Sequence, residues 1–180
     1  VTGLVDKGAD KGALILTERT LKDADSGLDL ATLTSTTFAR GNGGYDGPSD
    51  EAPRPHKVPE REPDFAVDLT TLDMAALIYR LSGDYNPLHA SPSVARAAGF
   101  PKPILHGLCS LGVAGHAILK GCCDYDAKRL KSLQLRFSSP VYPGETVRTE
   151  IWRDGANISF KSKIVERDVV VLDNGHATVE

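Results

Sequence analysis

The chain has 180 residues, of which 41% are hydrophobic and 25% are charged, and its formal net charge is −3. This composition is typical of an ordinary globular protein with room for one full domain and part of another. The small negative charge does not favour a nucleic-acid partner, and no segment approaches the ~18 consecutive apolar residues of a membrane-spanning helix. We therefore expect neither a nucleic-acid nor a membrane partner.

The cysteines and histidines predict a reducing compartment and no metal site. There are three cysteines, an odd number, and two of them are adjacent, which is poor geometry for a structural disulfide. The five histidines are widely separated and match no zinc-site spacing. The residues concerned are Cys109, Cys122, Cys123, His56, His89, His106, His116 and His176.

The first part of the chain predicts two strands followed by a flexible connection. Residues 13–19 and 33–39 are rich in β-forming side chains. The glycine-rich loop 41–47 fits neither G-x-G-x-x-G nor the P-loop pattern, so by itself it indicates a turn. Residues 48–63 contain five prolines among charges and predict an extended linker. We expect domain boundaries of 1–47, 48–63 and 64–180, with the first part too small to bury its own core.

After the linker, a short strand at 64–69 should be followed by helices. Thr70–Asp73 has the pattern of a capping box for a helix through Leu81, in which Leu72 and Tyr79 would lie in the core. Ser91 and Pro92 predict the start of a short helix, as N-cap and first helical residue, that Gly99 ends.

The apolar segment 104–119 predicts a mostly buried helix. Gly112 and Gly115 within it should each weaken the helix by about 1 kcal/mol relative to Ala, and close approach of a surrounding sheet would compensate. Four strand-like runs follow, and Asp154-Gly155 predicts a tight hairpin between the second and third. An antiparallel sheet wrapped around one helix, in the α+β class, is the expected fold. The four runs are 130–138, 145–153, 157–165 and 168–173.

The segment Gly83–His89 carries the most specific chemistry. Asn86-Pro87 favours a turn, so that Asp84 and His89 can be held facing one another. A carboxylate beside an imidazole is well suited to proton transfer near neutral pH. The competing structural interpretation is that Asp84 only closes an Asx-turn and His89 fills space.

Three blocks resemble the hydratase 2 motif of MaoC-like enoyl-CoA hydratases. They are Gly83–His89, Gly99-Phe100 and Pro103–Leu108, and the stretch 136–146 is similar to the family's next block. The resemblance covers about residues 56–180 and implies a hot-dog fold, an antiparallel sheet around a central helix. Residues 1–47 resemble the end of a first, non-catalytic hot-dog repeat that helps to hold acyl-CoA in longer members.

The resemblance implies reversible hydration of trans-2-enoyl-CoA to (3R)-hydroxyacyl-CoA, a lyase reaction of fatty acid metabolism. The catalytic residues would be Asp84, His89, Asn86 and Gly107, with one water held between Asp84 and His89. We assign His89 as base and Asp84 as acid, and the reverse assignment stays open. Asn86 would orient the pair or bind the water. The substrate would be a CoA thioester, with no metal or redox cofactor.

Gly107 lies near the expected start of the apolar helix. Backbone N–H groups there lack partners within the helix and lie at its positive dipole end, so one could stabilise the thioester oxygen. The resemblance places the oxyanion donor at the same glycine, although Gly107 could also be only a tight entry to the helix. For His106, a capping or packing role is as reasonable as a catalytic one.

The resemblance also implies contacts to CoA, a second copy of the chain as partner, and a cellular compartment. Arg40 and the loop glycines Gly43 and Gly44 are similar to the family's CoA-facing segment, where Arg40 could meet a phosphate. The protein would be a homodimer in a reducing intracellular compartment, cytoplasmic if bacterial and peroxisomal if eukaryotic. Two alternatives remain open, a hot-dog acyl-CoA thioesterase and a non-catalytic acyl-CoA-binding subunit.

Overall fold

A computed structural model describes residues 1–49 and 52–180, which divide into two compact units, Val1–Arg54 and Pro55–Glu180. The first unit is a three-stranded antiparallel sheet in the order β1-β2-β3. Both strands predicted there are confirmed and are longer than expected, while the four-residue β1 was missed. The strands are β1 (Gly3–Asp6), β2 (Ala13–Lys22) and β3 (Asp29–Ala39).

The division between the units falls inside the predicted linker. Residues 50 and 51 of that linker lie outside the described residues. From Pro55 onward the chain is bonded to the second unit, because the His56 ring lies 2.8 Å from Ser159 Oγ and Trp152 Nε1 donates to the Arg61 carbonyl at 2.7 Å. Assignment of the two units as a partial repeat and a catalytic domain stays a prediction.

The second unit contains a five-stranded antiparallel sheet in the order β4-β6-β7-β8-β5. Residues along β6 and β7 alternate between buried and partly exposed positions, which gives the sheet one apolar face. The four strands expected after residue 129 and the hairpin at Asp154-Gly155 are confirmed. The strands are β4 (Phe65–Thr70), β5 (Leu130–Phe137), β6 (Thr146–Asp154), β7 (Asn157–Ile164) and β8 (Val169–Val179).

The helices of this unit are α1 (Ala75–Tyr79), α2 (Pro92–Ala97) and α3 (Gly107–Cys122). Helix α3 packs on the apolar face of the sheet, where its Ile118 and the Phe160 of β7 are fully buried. Burying a side chain of this size contributes about 1.5–3 kcal/mol. An antiparallel sheet around one long helix is the predicted α+β hot-dog arrangement, which is confirmed. The helix is less buried than expected, since Leu108 is 62% exposed.

The expected boundaries of α3 were wrong by three residues at each end. The N–H of Leu105 donates to the Val141 carbonyl at 2.7 Å, so the chain stays extended until Gly107. Close sheet approach is confirmed at Gly115, where an added Cβ would lie 3.3 Å from Leu133 Cδ2. It is wrong at Gly112, which faces open space.

The predicted capping box before α1 is also wrong. The hydroxyl of Thr70, the N-cap of that pattern, lies 3.0 Å from the Thr146 hydroxyl on β6. The Thr71 hydroxyl donates to the Glu145 carbonyl at 2.9 Å and accepts the N–H of Gly144 at 3.0 Å, so it joins the end of β4 to the turn before β6. Helix α1 begins four residues later without a side-chain cap. Leu72, expected in the core, is 63% exposed, whereas Tyr79 is half-buried. Helix α2 begins and ends as predicted, with Ser91 as N-cap and Gly99 in a left-handed conformation.

Candidate active site

The segment after α1 turns sharply and presents Asp84 at the surface. A 3₁₀ turn at Arg80–Ser82 ends at Gly83, whose φ of 110° is strained for any side chain with a Cβ. The carboxylate of Asp84 accepts the Asn86 N–H on Oδ1 at 3.2 Å, which closes an Asx-turn. The competing interpretation from the sequence, in which Asp84 closes an Asx-turn, is therefore correct for Oδ1. Among the described residues, the hydrogen bonds found leave Oδ2 available for water.

Asn86 holds the next turn in place. Its side-chain Oδ1 accepts the Leu88 N–H at 3.0 Å, and its carbonyl accepts the His89 N–H at 3.2 Å. Pro87 stands at the first position of this 3₁₀ turn, which suits its restricted φ. The Asn86 side chain thus holds the turn that carries His89, and its role in catalysis stays a prediction.

The His89 ring is oriented by a backbone carbonyl from a distant part of the chain. Its Nδ1 lies 2.8 Å from the Ile104 oxygen. Because a carbonyl oxygen can only accept, Nδ1 carries the proton, and Nε2 of the neutral ring keeps a lone pair. Sequence reasoning missed Ile104, since a backbone acceptor has no residue-type signal. One carboxylate oxygen of Asp84 and one ring nitrogen each of His89 and His106 all lie within 4.8 Å of one another.

His106 lies beneath this pair, although the sequence left its role open. Its side chain is 1% exposed, and its ring stacks on the ring of His89 with 3.8 Å between centroids and 26° between planes. Nε2 donates to the main-chain oxygen of Asp84 at 3.2 Å. Burial lowers the pKa of His106 below its ordinary value.

The three side chains are poorly arranged for a metal ion despite their proximity. A metal needs ligand lone pairs that converge on one point. The rings of His89 and His106 are stacked and nearly parallel, so their in-plane lone pairs run side by side. His89 Nδ1 and His106 Nε2 each bond to a carbonyl oxygen, a contact that suits either use because metal-ligating histidines commonly donate their other N–H in this way. The expected lack of a metal stays a prediction.

Gly107 is the first residue of α3, as the oxyanion hypothesis requires. Among residues 1–49 and 52–180, no carbonyl or side chain accepts its N–H. The Cα of Gly107 lies beside the Phe137 ring, so a Cβ added to Gly107 would lie 3.3 Å from Cε1 of Phe137. The N–H groups in the first turn of a helix are available to a ligand and favour negative charge.

His89 and Gly107 border the same cavity of about 280 Å³. Ser110 and the segment 138–140, with two serines, contribute polar groups, and the rest of the lining is apolar apart from His89 and Gly107. A mostly apolar cavity with a few polar groups is typical of a site for a small organic ligand. Its apolar lining consists of Phe100, Ile104, Leu105, Phe137, Val141 and Leu172. A second cavity of about 320 Å³, bordered by His89, Asp73 and Lys102, does not include Gly107.

The MaoC like domain model matches residues 55–175, which include the whole of this site. The chain belongs to the MaoC-like family. It is 42% identical over 97% of its length to the 3-hydroxyacyl-thioester dehydratase Y of Mycobacterium tuberculosis. It is 41% identical over 96% of its length to the peroxisomal enoyl-CoA hydratase 2 of Arabidopsis thaliana.

A solved structure supports the MaoC-like fold of the chain. The MaoC-like dehydratase of Phytophthora capsici superimposes with a TM-score of 0.91, at 42% identity, over 98% of this chain and 61% of that one. This MaoC-like chain covers 62% and 58% of the two curated relatives, so it spans about three fifths of their length.

In the first unit of this MaoC-like chain, the glycine-rich loop is built around a carboxylate. Asp6 accepts N–H groups from Gly8, Gly44 and Asp46, at 2.8, 2.7 and 3.0 Å, and these bonds lower the pKa of Asp6. Gly43 packs against the carbonyls of Gly8 and Gly12 so closely that no Cβ would fit. The Gly44 N–H is thus committed to Asp6 and not free for a phosphate.

The binding role expected of the first unit stays a prediction. Arg40 is exposed at the end of β3, directly before the loop. Its guanidinium remains the candidate for a CoA phosphate, together with Gly43 and Gly44 as parts of the segment that the resemblance assigns to CoA. Among the described residues, no helix is long and apolar enough to cross a membrane.

Proposed function

We propose that this chain catalyses the reversible hydration of a trans-2-enoyl-CoA to the (3R)-3-hydroxyacyl-CoA. The observation that carries the proposal is that His89 and Gly107 border one cavity, while the Asp84 carboxylate lies within 4.8 Å of a His89 ring nitrogen. The names of the two relatives, a dehydratase and a hydratase, describe the two directions of this reaction. The (3R) configuration follows from the resemblance to hydratase 2.

In the hydration direction, His89 acts as the base. Its Nε2 accepts a proton from water while the water oxygen adds to C3 of the enoyl group. The bond from Nδ1 to the Ile104 carbonyl supports this role, because it leaves Nε2 as the unprotonated nitrogen. A positioned general base typically contributes ~10²–10⁴ in rate.

Addition at C3 moves the electrons of the double bond toward the thioester oxygen. The N–H of Gly107 donates to the developing enolate, and one such donor in a preorganised site contributes about 3 kcal/mol. The proton taken up by His89 passes to the Asp84 carboxylate through water, and Asp84 gives it to C2 as the enolate collapses. The pair therefore finishes as it began, and one water has been added.

The proposed reaction needs neither a metal nor a redox cofactor. Water addition transfers no net electrons, and the thioester itself polarises the double bond. Dialysis against EDTA should therefore leave kcat and KM unchanged. Loss of activity on dialysis, restored by a divalent cation, would contradict this part of the proposal.

We propose that the protein works as a homodimer in a reducing compartment, because hot-dog domains generally pair their sheets and the three cysteines are free. The compartment would be the peroxisome in a eukaryote and the cytoplasm in a bacterium. Light scattering should give twice the chain mass, and a fluorescent fusion should show the compartment. A monomer mass at micromolar concentration would contradict the dimer.

Crotonyl-CoA distinguishes the proposed function from its alternatives. Loss of the enoyl absorbance without release of free thiol indicates hydration. Release of thiol indicates a thioesterase, in which water attacks the carbonyl carbon. Binding without either change supports a non-catalytic acyl-CoA-binding subunit. Chiral analysis of the product tests the (3R) assignment.

A further inference from the structure

His106 is the residue in this site whose contacts the proposed reaction leaves unexplained. It occupies the N-cap position of α3, yet its side chain makes no capping hydrogen bond. The ring is turned inward and is 1% exposed. Burying an imidazole carries a desolvation cost, so the contacts that it makes inside must compensate.

Those contacts reach both residues of the proton-transfer pair. Nε2 donates to the main-chain oxygen of Asp84, and one ring face stacks on His89. Tyr79 contacts the ring from α1, with 4.7 Å between centroids. His106 also precedes Gly107 directly, so one residue joins Asp84, His89 and the N-terminus of α3. It borders neither cavity that His89 borders, which argues against contact with substrate.

The surroundings keep the His106 ring uncharged. Its Nδ1 is buried, and no partner for it is found within the described part of the chain. A proton at Nδ1 would therefore be a buried donor without an acceptor, and the cation would face His89 and Arg80, opposed only by Asp84. Burial lowers the pKa of His106 accordingly. A neutral ring with its proton on Nε2 matches the bond to Asp84.

We propose that His106 is a positioning residue for hydration. It holds the main chain of Asp84 by a hydrogen bond and the ring plane of His89 by stacking. Both groups are thereby kept in position relative to the N–H of Gly107. This inference rests on the proposed function. A displacement of about 1 Å in a reacting group can cost ~10²-fold in rate, so loosening this support should lower kcat by about 10–10²-fold with little change in KM.

Two variants separate the two contacts. His106→Gln keeps an amide donor that can reach the Asp84 oxygen but loses the stacked ring, whereas His106→Phe keeps a ring but loses the donor. Each should lower kcat and shift the acidic limb of the kcat profile against pH. His116→Gln, at an exposed position of the same helix, is the matched control and should behave as wild type.

Crotonyl-CoA hydration and thermal unfolding are both measured for the wild-type protein and for each variant. If wild type does not hydrate crotonyl-CoA, the proposed function fails. If wild type is active and both His106 variants keep its kcat and pH profile, the positioning role is refuted, even where their melting temperatures fall. Ring ¹⁵N NMR of wild type gives a test without variants. The proton should reside on Nε2 of His106 and on Nδ1 of His89, and the opposite tautomer of His106 overturns the proposal.

Discussion

Asp84→Asn separates the chemistry of the site from its local structure. The substitution is nearly isosteric, and the amide Oδ1 of Asn can accept the Asn86 N–H just as the carboxylate does at 3.2 Å. The Asx-turn should therefore survive. A hydrogen bond of this kind contributes about 0.5–1.5 kcal/mol, and because the bond is kept, the free energy of unfolding should change by less than about 0.5 kcal/mol. An amide cannot deliver the proton to C2, so kcat should fall by about 10²–10⁴-fold.

The assay is loss of enoyl absorbance with crotonyl-CoA, combined with thermal unfolding of each variant. Asp126→Asn is a matched control, because Asp126 closes the same kind of Asx-turn by accepting the Lys128 N–H at 3.0 Å and lies beyond the opposite end of α3. The control should keep wild-type kcat and stability. Turnover of Asp84→Asn within threefold of wild type would refute the acid role of Asp84.

Two further predictions concern stability. Gly112→Ala should stabilise the protein by about 0.5–1 kcal/mol because its site in α3 is open, whereas Gly121→Ala should destabilise it by about 1–3 kcal/mol because the new Cβ would lie 2.6 Å from the Phe65 ring. Urea unfolding of both variants checks this, and equal effects would contradict it. Burial and the neighbouring His176 lower the pKa of His56 from 6.5, so the stability from its neutral form is present above pH 6.5 and lost as pH falls. Between pH 7.5 and 5.5 the melting temperature of wild type should fall by more than that of His56→Gln. An equal fall in the two proteins would exclude this linkage.

The local features of the site were predictable because they depend on neighbouring residues. Gly83, Asn86 and Pro87 act over two or three positions, through a left-handed φ, an Asx cap and a restricted φ. The strand-like runs 145–153 and 157–165 likewise predicted β6 and β7 with small errors in their ends. Helix α3 was found, but its start was misplaced because the bond from Leu105 to Val141 spans two separate segments.

The sequence by itself determined the family, the α+β fold and the placement of Asp84 and His89 on one short segment of consecutive turns. Only the tertiary structure decided which nitrogen of His89 is free, because the acceptor is a carbonyl fifteen residues away. It also decided that His106 points inward beneath the pair, since a histidine before a helix can cap, pack or face solvent with the same local sequence. Local hydrogen bonds follow from adjacent residue types, whereas these contacts exist only after α3 has packed on its sheet.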